Sequence, residues 1–352
     1  MNQKLTITRP DDWHVHLRDG EVLKTVAPHT ARQFGRAMVM PNLQPPVTTV
    51  EMAKAYRQRI LSCVSPESEF NPLMSLYLTD NTKADEVKRA ADCPEVVGFK
   101  LYPAGATTNS NSGVTSISKV MPVLETMAEL GVILQIHGEV TDRHVDVFDR
   151  EAEFIDQILQ PLRNEIPDLK IILEHITTLQ AVEFVREGAV DTLAATITPQ
   201  HLMFNRNEIF KGGIRPHNYC LPILKREKHR AALVEAAISG DQRFFLGTDS
   251  APHSRSAKQS DCGCAGCYSA ASAIELYAEV FYASDALHML EGFSSIFGAR
   301  YYGVPTNETQ ITLEQVQWRL PSGYLIDDES NEEIVPLCAG ETLHWRLTDE
   351  TD

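Results

Sequence analysis

The sequence predicts an α/β fold, a closed (β/α)8 TIM barrel with a small C-terminal appendage. Short apolar runs alternate with segments of helical pattern, which is typical of a parallel sheet covered on both faces by helices. There are eight such runs, and nearly every one ends in a polar cluster. At 352 residues, of which 43% are hydrophobic, the chain has the length of one barrel and enough apolar side chains for a large core. An open doubly wound sheet is the alternative, but no G-x-G-x-x-G motif follows the first run.

The predicted elements follow one another in a regular order. The eight predicted strands are LTITRPDDWHVH, RAMVMPN, LMSLYLTD, VVGFKLY, VILQIHGE, KIILEHIT, TLAATITPQ and RFFLGTDSAPH. Helical patterns lie between them in TTVEMAKAYRQRILSCV, ISKVMPVLETMAEL, EAEFIDQILQPLRN and KREKHRAALVEAAISG. We assign residues 1–303 to the barrel. Residues 304–352 hold short strand-like pieces and acidic turns, which predict an appendage packed on the barrel.

The composition argues against several classes of partner. The net charge is −16, which is unfavourable for binding nucleic acid or an acidic membrane surface. No apolar run reaches the length of a transmembrane helix, and the polar start MNQKLTITRPDD lacks the pattern of a signal peptide. Seven cysteines, an odd number, indicate a reducing compartment rather than a disulfide framework. We therefore expect a cytoplasmic protein.

The segment DDWHVHLRDG places His14, His16 and Arg18 at alternate positions. In a β-strand these side chains share one face, where two imidazoles can reach one metal ion. Taken alone, the pattern is more typical of an edge strand with its polar face in water. Other predicted strands also end in chemically active side chains, namely Asn42, Lys100, His137, His175, Asp249 and His253. Because the carboxyl ends of barrel strands meet at one mouth, we expect all of these residues to converge there.

Four histidines and one aspartate at strand ends are the ligands that zinc prefers. One catalytic ion needs only three protein ligands, so the larger set suggests two ions, which commonly lie ~3.5–4 Å apart and share a bridging water or hydroxide. Lys100 is the exception, since an ammonium would be repelled by two dications. Either its amine extends to the barrel rim, or burial and the metals keep it neutral and it adds CO2 to become a bridging carbamate. Spacing alone leaves both possibilities open.

Over these residues the chain resembles the dihydroorotases of the amidohydrolase superfamily, of the short type that opens directly on its barrel. The matching stretches are DDWHVHLRDG, MPNLQPPVTT, GFKLYPAGATTNS, IHGEV, FDREAEFID, LEHITT, ATITPQHL, PHNYCLPILKRE and GTDSAPHSR. They span the predicted barrel from end to end, without a departure at a functional position. The H-x-H pair with a lysine late in a strand is a signal of the superfamily, whereas the long MPNLQPPVTT and GTDSAPH blocks are specific to the family.

The resemblance implies a zinc-dependent cyclic amidohydrolase that interconverts N-carbamoyl-L-aspartate and L-dihydroorotate in de novo pyrimidine (UMP) biosynthesis. It implies two Zn2+ per chain, bridged by a carbamylated Lys100 (an N6-carboxylysine) and by a hydroxide. The implied zinc ligands are His14, His16 and Asp249 for one ion, and His137 and His175 for the other. In the implied reaction, Asp249 takes the proton of the hydroxide and passes it to the leaving amide nitrogen. The resemblance also implies a homodimer.

The implied substrate contacts surround the same mouth. They are Arg18, Asn42 and His253 for the substrate carboxylate, backbone groups of Leu221 and Ala265 for the pyrimidine ring edge, and Thr107 and Thr108 in a mobile loop that closes on the substrate. The metal ions outweigh the charge of their ligands, so a small anionic substrate is attracted locally although the whole chain is acidic.

Two other functions compete with this interpretation. A different cyclic-amide hydrolase, such as a hydantoinase-like enzyme, would keep the metals, but Arg18 and Asn42 favour a carboxylated substrate. A non-catalytic barrel that serves a partner enzyme as a scaffold should have lost ligands, and none is missing from this sequence. The preferred reaction direction and the metal used in the cell stay open.

Two further stretches beside the predicted mouth stay open as well. In DCGCAGC, Cys262, Cys264 and Cys267, together with Cys220, are either reduced thiols without a metal or an additional weak zinc site. The stretch YPAGATTNSNSGV is rich in Gly, Thr, Asn and Ser. It is either the moving cover of the site or an ordinary flexible loop.

Overall fold

The computed structural model describes residues 3–327 and 331–348. Its strands are β1 (Lys4–Thr8), β2 (Asp11–Val15), β3 (Arg36–Val39), β4 (Asn71–Leu78), β5 (Val96–Leu101), β6 (Ile133–Ile136), β7 (Ile171–Leu173), β8 (Leu193–Ile197), β9 (Phe244–Leu246), β10 (Gln310–Arg319), β11 (Tyr324–Leu325), β12 (Glu333–Ile334) and β13 (Thr342–Leu347). Strands β2 to β9 form one eight-stranded parallel sheet, in which each strand is hydrogen-bonded to the next one in chain order. The sheet closes where the backbone N–H of Asp249 donates to His14 O at 2.8 Å and that of His16 donates to Ser250 O at 2.9 Å. The predicted barrel is therefore confirmed.

Helices follow most of the barrel strands and cover the outside of the sheet. They are α1 (Gly20–Gln33), α2 (Val50–Leu61), α3 (Ala84–Ala91), α4 (Ile117–Leu130), α5 (Arg150–Phe154), α6 (Gln160–Glu165), α7 (Leu179–Glu187), α8 (Pro199–Met203), α9 (Glu227–Ile238), α10 (Arg255–Lys258), α11 (Ala273–Ala283) and α12 (Phe297–Tyr302). In α2, Thr49 caps the first turn by accepting from Met52 N, and Ala53, Tyr56 and Ile60 are buried at helical spacing. None of the described helices has the length and apolar character needed to cross a membrane.

The centre of the barrel is filled by apolar side chains. A buried cluster takes one member from most of the strands, namely Trp13, Met38, Leu73, Ile133, Ile172, Ala194 and Phe245. Residues of α12 join it, and the ring of Tyr302 stacks on that of Trp13 with centroids 4.2 Å apart. Because the interior is packed, the mouth is left as the place for chemistry.

Strands β1, β10 and β13 form a separate antiparallel sheet in the order β1-β10-β13. The first predicted strand is thus two strands: Lys4–Thr8 pairs with β10, and Asp11–Val15 enters the barrel. Pro10 separates them, because proline has no N–H with which to continue a ladder. Leu313 and Trp345 of this sheet are fully buried, which is consistent with packing on the barrel. The boundary after residue 303 stays a prediction, since the C-terminal strands also take in residues from the start of the chain.

Candidate metal centre at the barrel mouth

The predicted metal ligands meet at the carboxyl ends of the barrel strands. They are His14 in β2, His16 just after it, Lys100 in β5, and His137, His175 and Asp249 after β6, β7 and β9. All of them are buried, with exposed fractions between 0% and 7%. Ring centroids lie 5.4 Å apart for His14 and His16, 5.0 Å for His14 and His175, and 4.8 Å for His137 and His175. The fold thus brings together the side chains that the sequence pattern singled out as ligands.

His14, His16 and Asp249 form the tightest group. Within residues 3–327 and 331–348, this is the one set of three or more potential ligands whose donor atoms all lie within 4.8 Å of one another. Asp249 Oδ1 lies 3.1 Å from His16 Nε2 and 3.5 Å from His14 Nε2. One cation placed among these atoms would contact three protein ligands, which is the usual number at a catalytic zinc.

The hydrogen bonds on the far side of each imidazole decide which nitrogen carries the proton. His14 Nδ1 donates to Glu174 Oε2 at 2.8 Å, and His16 Nδ1 donates to Asn42 Oδ1 at 2.7 Å. Burial lowers the pKa of both histidines, so each holds a single proton, which we assign to Nδ1. Two bare Nε2 atoms and a carboxylate oxygen then face one another, which is repulsive unless a cation lies between them. This donor set fits a divalent metal ion.

A second group lies beside the first. His137 Nε2 donates to Glu139 Oε2 at 2.8 Å, and His175 Nδ1 is buried without a hydrogen-bond partner. Lys100 Nζ is also buried without a partner and lies 5.0 Å from the ring centroid of Tyr102. Burial lowers the pKa of Lys100 to about 8, against the opposing effect of Glu174 and Asp249. The amine therefore has an appreciable neutral fraction, and the neutral form is the one that reacts with CO2.

Sequence analysis missed the acidic residues that support the histidines. Besides Glu174 and Glu139, Asp12 Oδ1 accepts from the backbone N–H of His14 at 3.1 Å. Burial is the main cause that raises the pKa of both Glu174 and Asp12 to about 7. A signal was present, because each of these acids stands within two residues of a predicted histidine ligand. Tyr102, which lines the cavity, was missed as well.

Besides Asn109 in the loop over the mouth, three backbone positions near the strand ends have left-handed φ angles without being glycine. The angles are 57° at Arg18, 42° at His175 and 44° at Asp249. Such conformations cost ~1–3 kcal/mol and persist where surrounding contacts impose them, as they commonly do at active sites. Each lies just past a strand end, so the chain turns sharply where a functional side chain must point into the mouth.

A small cavity of about 20 Å³ opens beside the histidines. The predicted substrate contacts that line it are Arg18, Asn42, Thr107, Thr108, Leu221 and Ala265. Arg18 Nε donates to Pro252 O at 3.2 Å, and His253 Nε2 lies 3.1 Å from both Arg18 Nη2 and Ala265 O. His253, the third residue predicted to bind the substrate carboxylate, therefore contacts Arg18 and is not among the residues that line the cavity. Burial, assisted by Arg18, lowers the pKa of His253 to about 2, so this imidazole is neutral.

The loop of residues 104–113 lies across the cavity. Thr108 Oγ1 donates to Ala265 O at 3.4 Å, and Asn42 Nδ2 donates to Thr108 O at 3.1 Å. Asn109 Nδ2 donates to Asn42 O at 3.0 Å. Asn42 thus contacts both the predicted ligand His16 and the loop, and the sequence did not predict this double contact. The loop's movement stays a prediction.

The cysteines beside the mouth do not assemble a metal site. All seven cysteines are free thiols, and none joins a cluster of three potential ligands within the described parts of the chain. Cys220 and Cys267 are buried, and their thiols donate to backbone carbonyls, Cys220 Sγ to Pro222 O and Cys267 Sγ to His217 O, each at 3.4 Å, whereas Cys262 is exposed. This arrangement favours reduced, non-ligating thiols over the additional zinc site.

Known proteins match the chain over nearly its whole length. Residues 11–309 match the amidohydrolase family. The dihydroorotase of Cupriavidus pinatubonensis is 59% identical over 346 residues, which cover 98% of this chain and 99% of that protein. The chain belongs to the dihydroorotases of the amidohydrolase family. The dihydroorotase of a Picosynechococcus species is also 59% identical, over 345 residues that cover 98% of this chain and 99% of that protein.

Solved structures of dihydroorotases have the same fold. The enzyme of Campylobacter jejuni superimposes with a TM-score of 0.90 at 38% identity, covering 99% of this chain and 98% of that one. The Saccharomyces cerevisiae enzyme in complex with 5-fluoroorotic acid gives 0.90 at 34% identity, with 98% of each chain covered. An L-hydantoinase of Arthrobacter aurescens gives 0.78 at 15% identity over 97% of this chain and 82% of that one, which shows a shared barrel alone. Membership in the dihydroorotases implies a metal cofactor, and the donor atoms at the mouth fit one.

Proposed function

We propose that this dihydroorotase family member interconverts N-carbamoyl-L-aspartate and L-dihydroorotate in pyrimidine biosynthesis. The observation that carries the proposal is one cavity that is lined by Arg18 and by two members of the donor group, His16 and Asp249. A cyclic amide that bears a carboxylate needs both a metal centre and a cationic anchor. The full-length identity of 59% with a dihydroorotase supports the proposal. So does the yeast relative, whose ligand, 5-fluoroorotic acid, is a carboxylated pyrimidine.

We propose that two zinc ions occupy the mouth. The residues that would hold them are His14, His16 and Asp249 for one ion and His137 and His175 for the other, with Lys100 as a carbamate between them. The bare Nε2 atoms around Asp249 and the unpartnered Nζ of Lys100 support this assignment. When bound, the ions supply Lewis-acid chemistry that polarises a carbonyl and makes water a stronger nucleophile near neutral pH.

The residues of the chain itself bind and orient the substrate. Arg18 would bind the substrate carboxylate through the N–H groups that Pro252 and His253 do not use, in a charge-assisted contact. Asn42 would add its remaining N–H, since one of its amide hydrogens is engaged by Thr108 O. The backbone groups of Leu221 and Ala265 would then fix the edge of the ring.

Asp249 would move the proton. It lines the cavity as a carboxylate, so it can accept a proton from the attacking water and deliver it to the ring nitrogen as the amide bond breaks. In the opposite direction, the same carboxylate would take the proton from the ureido nitrogen of N-carbamoyl-L-aspartate during ring closure. The Asp249 carboxylate would therefore transfer the proton in both directions of the reaction.

The loop over the cavity would exclude bulk water during this transfer. Thr107 and Thr108 lie at its inner face, where their hydroxyls can contact bound substrate. Water exclusion strengthens the electrostatic interactions that act on the reacting carbonyl. A cytoplasmic location stays a prediction from the composition, and a homodimeric state stays a prediction from the sequence resemblance.

Metal analysis of the purified protein together with substrate assays tests the proposal. We expect about two zinc ions per chain, hydrolysis of L-dihydroorotate, and loss of activity after chelation that zinc restores. Hydantoin, which lacks the carboxylate, should be turned over poorly. Active protein with one metal ion or none would refute the two-ion site, and a preference for hydantoin would refute the substrate assignment.

A further inference from the structure

Glu174 is a buried carboxylate that the roles above leave unused. It is 1% exposed and directly precedes the predicted ligand His175. Its Oε2 accepts two hydrogen bonds, from His14 Nδ1 at 2.8 Å and from Thr196 Oγ1 at 2.6 Å. Its Oε1 is buried without a partner. One carboxylate oxygen therefore connects strand β2 to strand β8.

The hydrogen-bonded chain continues to the second group of predicted ligands. Thr196 Oγ1 accepts from the backbone N–H of His175 at 2.7 Å. His175 has a φ of 42°, a conformation that needs fixed neighbours to persist. Glu174 thus fixes the side chain of His14 directly and, through Thr196, the backbone of His175. His14 and His175 are predicted to bind different metal ions. The carboxylate of Glu174 therefore positions one predicted ligand of each ion.

The bond to His14 also selects the tautomer. A carboxylate oxygen that accepts from Nδ1–H keeps the proton on Nδ1 and leaves the lone pair on Nε2, the atom that lies 3.5 Å from Asp249 Oδ1. Without an acceptor at Nδ1, the imidazole could rotate or carry its proton on Nε2, and either change would remove a ligand. Histidine ligands held in this way by a carboxylate bind their metal more tightly.

We propose that Glu174 is a positioning residue that orients His14 and His175 together and thereby couples the two halves of the metal centre. The inference rests on the proposed function, because it assumes that these histidines hold metal. Glu174 does not line the substrate cavity, so its effect should be on metal retention first and on catalysis only through the metal.

The test measures zinc release from the holoenzyme to a chromophoric chelator. Glu174→Ala should weaken zinc retention by ~10–100-fold, the usual effect of losing such a support. Glu174→Gln should retain most of the affinity, because its carbonyl oxygen can accept from His14 Nδ1. Thr196→Val should weaken retention less than Glu174→Ala, and Thr196→Ser, which keeps the hydroxyl, should match the parent.

Glu275→Ala is the matched control. Glu275 is also a fully buried glutamate, and its partners are Arg32 and the backbone N–H of Leu347 rather than a predicted ligand. Its loss should lower the unfolding temperature without changing zinc retention. If Glu174→Ala holds zinc like the parent, or if Glu275→Ala releases it just as readily, the positioning role is refuted. A parent protein that neither holds zinc nor hydrolyses dihydroorotate would instead refute the proposed function.

Discussion

Asn109 is the residue whose replacement should most directly open the loop over the cavity. Asn109 Nδ2 donates to Asn42 O at 3.0 Å, and its Oδ1 accepts from Gln44 Nε2 at 2.6 Å. Its φ is 57°, a left-handed angle that glycine adopts without strain. Asn109→Gly therefore removes two hydrogen bonds while leaving the backbone conformation accessible.

The expected magnitude follows from those two bonds. Each contributes ~0.5–1.5 kcal/mol, so the closed form should lose ~1–3 kcal/mol relative to the open form. This corresponds to a closed-to-open ratio about 5- to 150-fold lower, at ~1.4 kcal/mol for each factor of ten. Because the proposed mechanism uses the closed form, kcat/KM for L-dihydroorotate should fall within that range while zinc content is unchanged.

The assay combines steady-state kinetics with hydrogen exchange of the amides in residues 104–113. Asn111→Gly is the matched control, since Asn111 lies in the same loop, is exposed, and has no hydrogen bond among the described residues. It should leave both measurements close to those of the parent. Equal exchange and equal kcat/KM in the two variants would show that the contacts of Asn109 do not hold the loop closed.

Five other variants test the site. Lys100→Ala should abolish activity and lower zinc content. Lys100→Arg should restore neither, because a guanidinium forms no carbamate. An unmodified Lys100 amine in active enzyme, seen by mass spectrometry or in electron density, would count against the bridging carbamate. Asp249→Asn should lower kcat by ~10²–10⁴-fold even where metal is retained, and near-normal turnover would assign proton transfer elsewhere. Arg18→Met should raise KM by about 10- to 150-fold, since a charge-assisted contact contributes ~1.5–3 kcal/mol, and an unchanged KM would mean that the carboxylate binds at another place. Replacing Thr107 and Thr108 together by alanine should lower kcat/KM by ~10-fold or more, because each lost hydrogen bond contributes ~1 kcal/mol. The unfolding temperature and the metal content should stay unchanged.

The sequence predicted the barrel and the convergence of its strand ends because both depend on patterns that are local. Apolar runs mark the strands, and a parallel barrel brings the carboxyl ends of its strands together whatever the conformation of the loops. The residue types at those ends, such as His137 and Asp249, then indicate the chemistry. The first strand was wrong at its start. The apolar alternation of Leu5 and Ile7 ends at Arg9 and Pro10, and it is there that the chain changes from one sheet to the other.

The supports of the histidines could not be predicted in the same way. Strict alternation would place Glu174 and His175 on opposite faces of a strand. In the structure both reach His14: Glu174 by a hydrogen bond of 2.8 Å, and His175 with its ring centroid 5.0 Å away. The left-handed φ at His175 breaks the alternation, and no local sequence pattern announces it. Contacts such as that of Asn42 with Thr108 join distant segments and appear only in three dimensions.

The pairing of β1 with β10 has a consequence for how the protein is made. Residues 4–8 leave the ribosome before the barrel, but their partners, residues 310–314, follow only after the whole barrel has been synthesised. Until then β1 is an unpaired strand whose backbone groups are open to other chains. Contacts of such long sequence separation form slowly. Residues 4–8 therefore stay unpaired while the barrel is synthesised, and a chaperone that covers extended segments should raise the yield of folded protein.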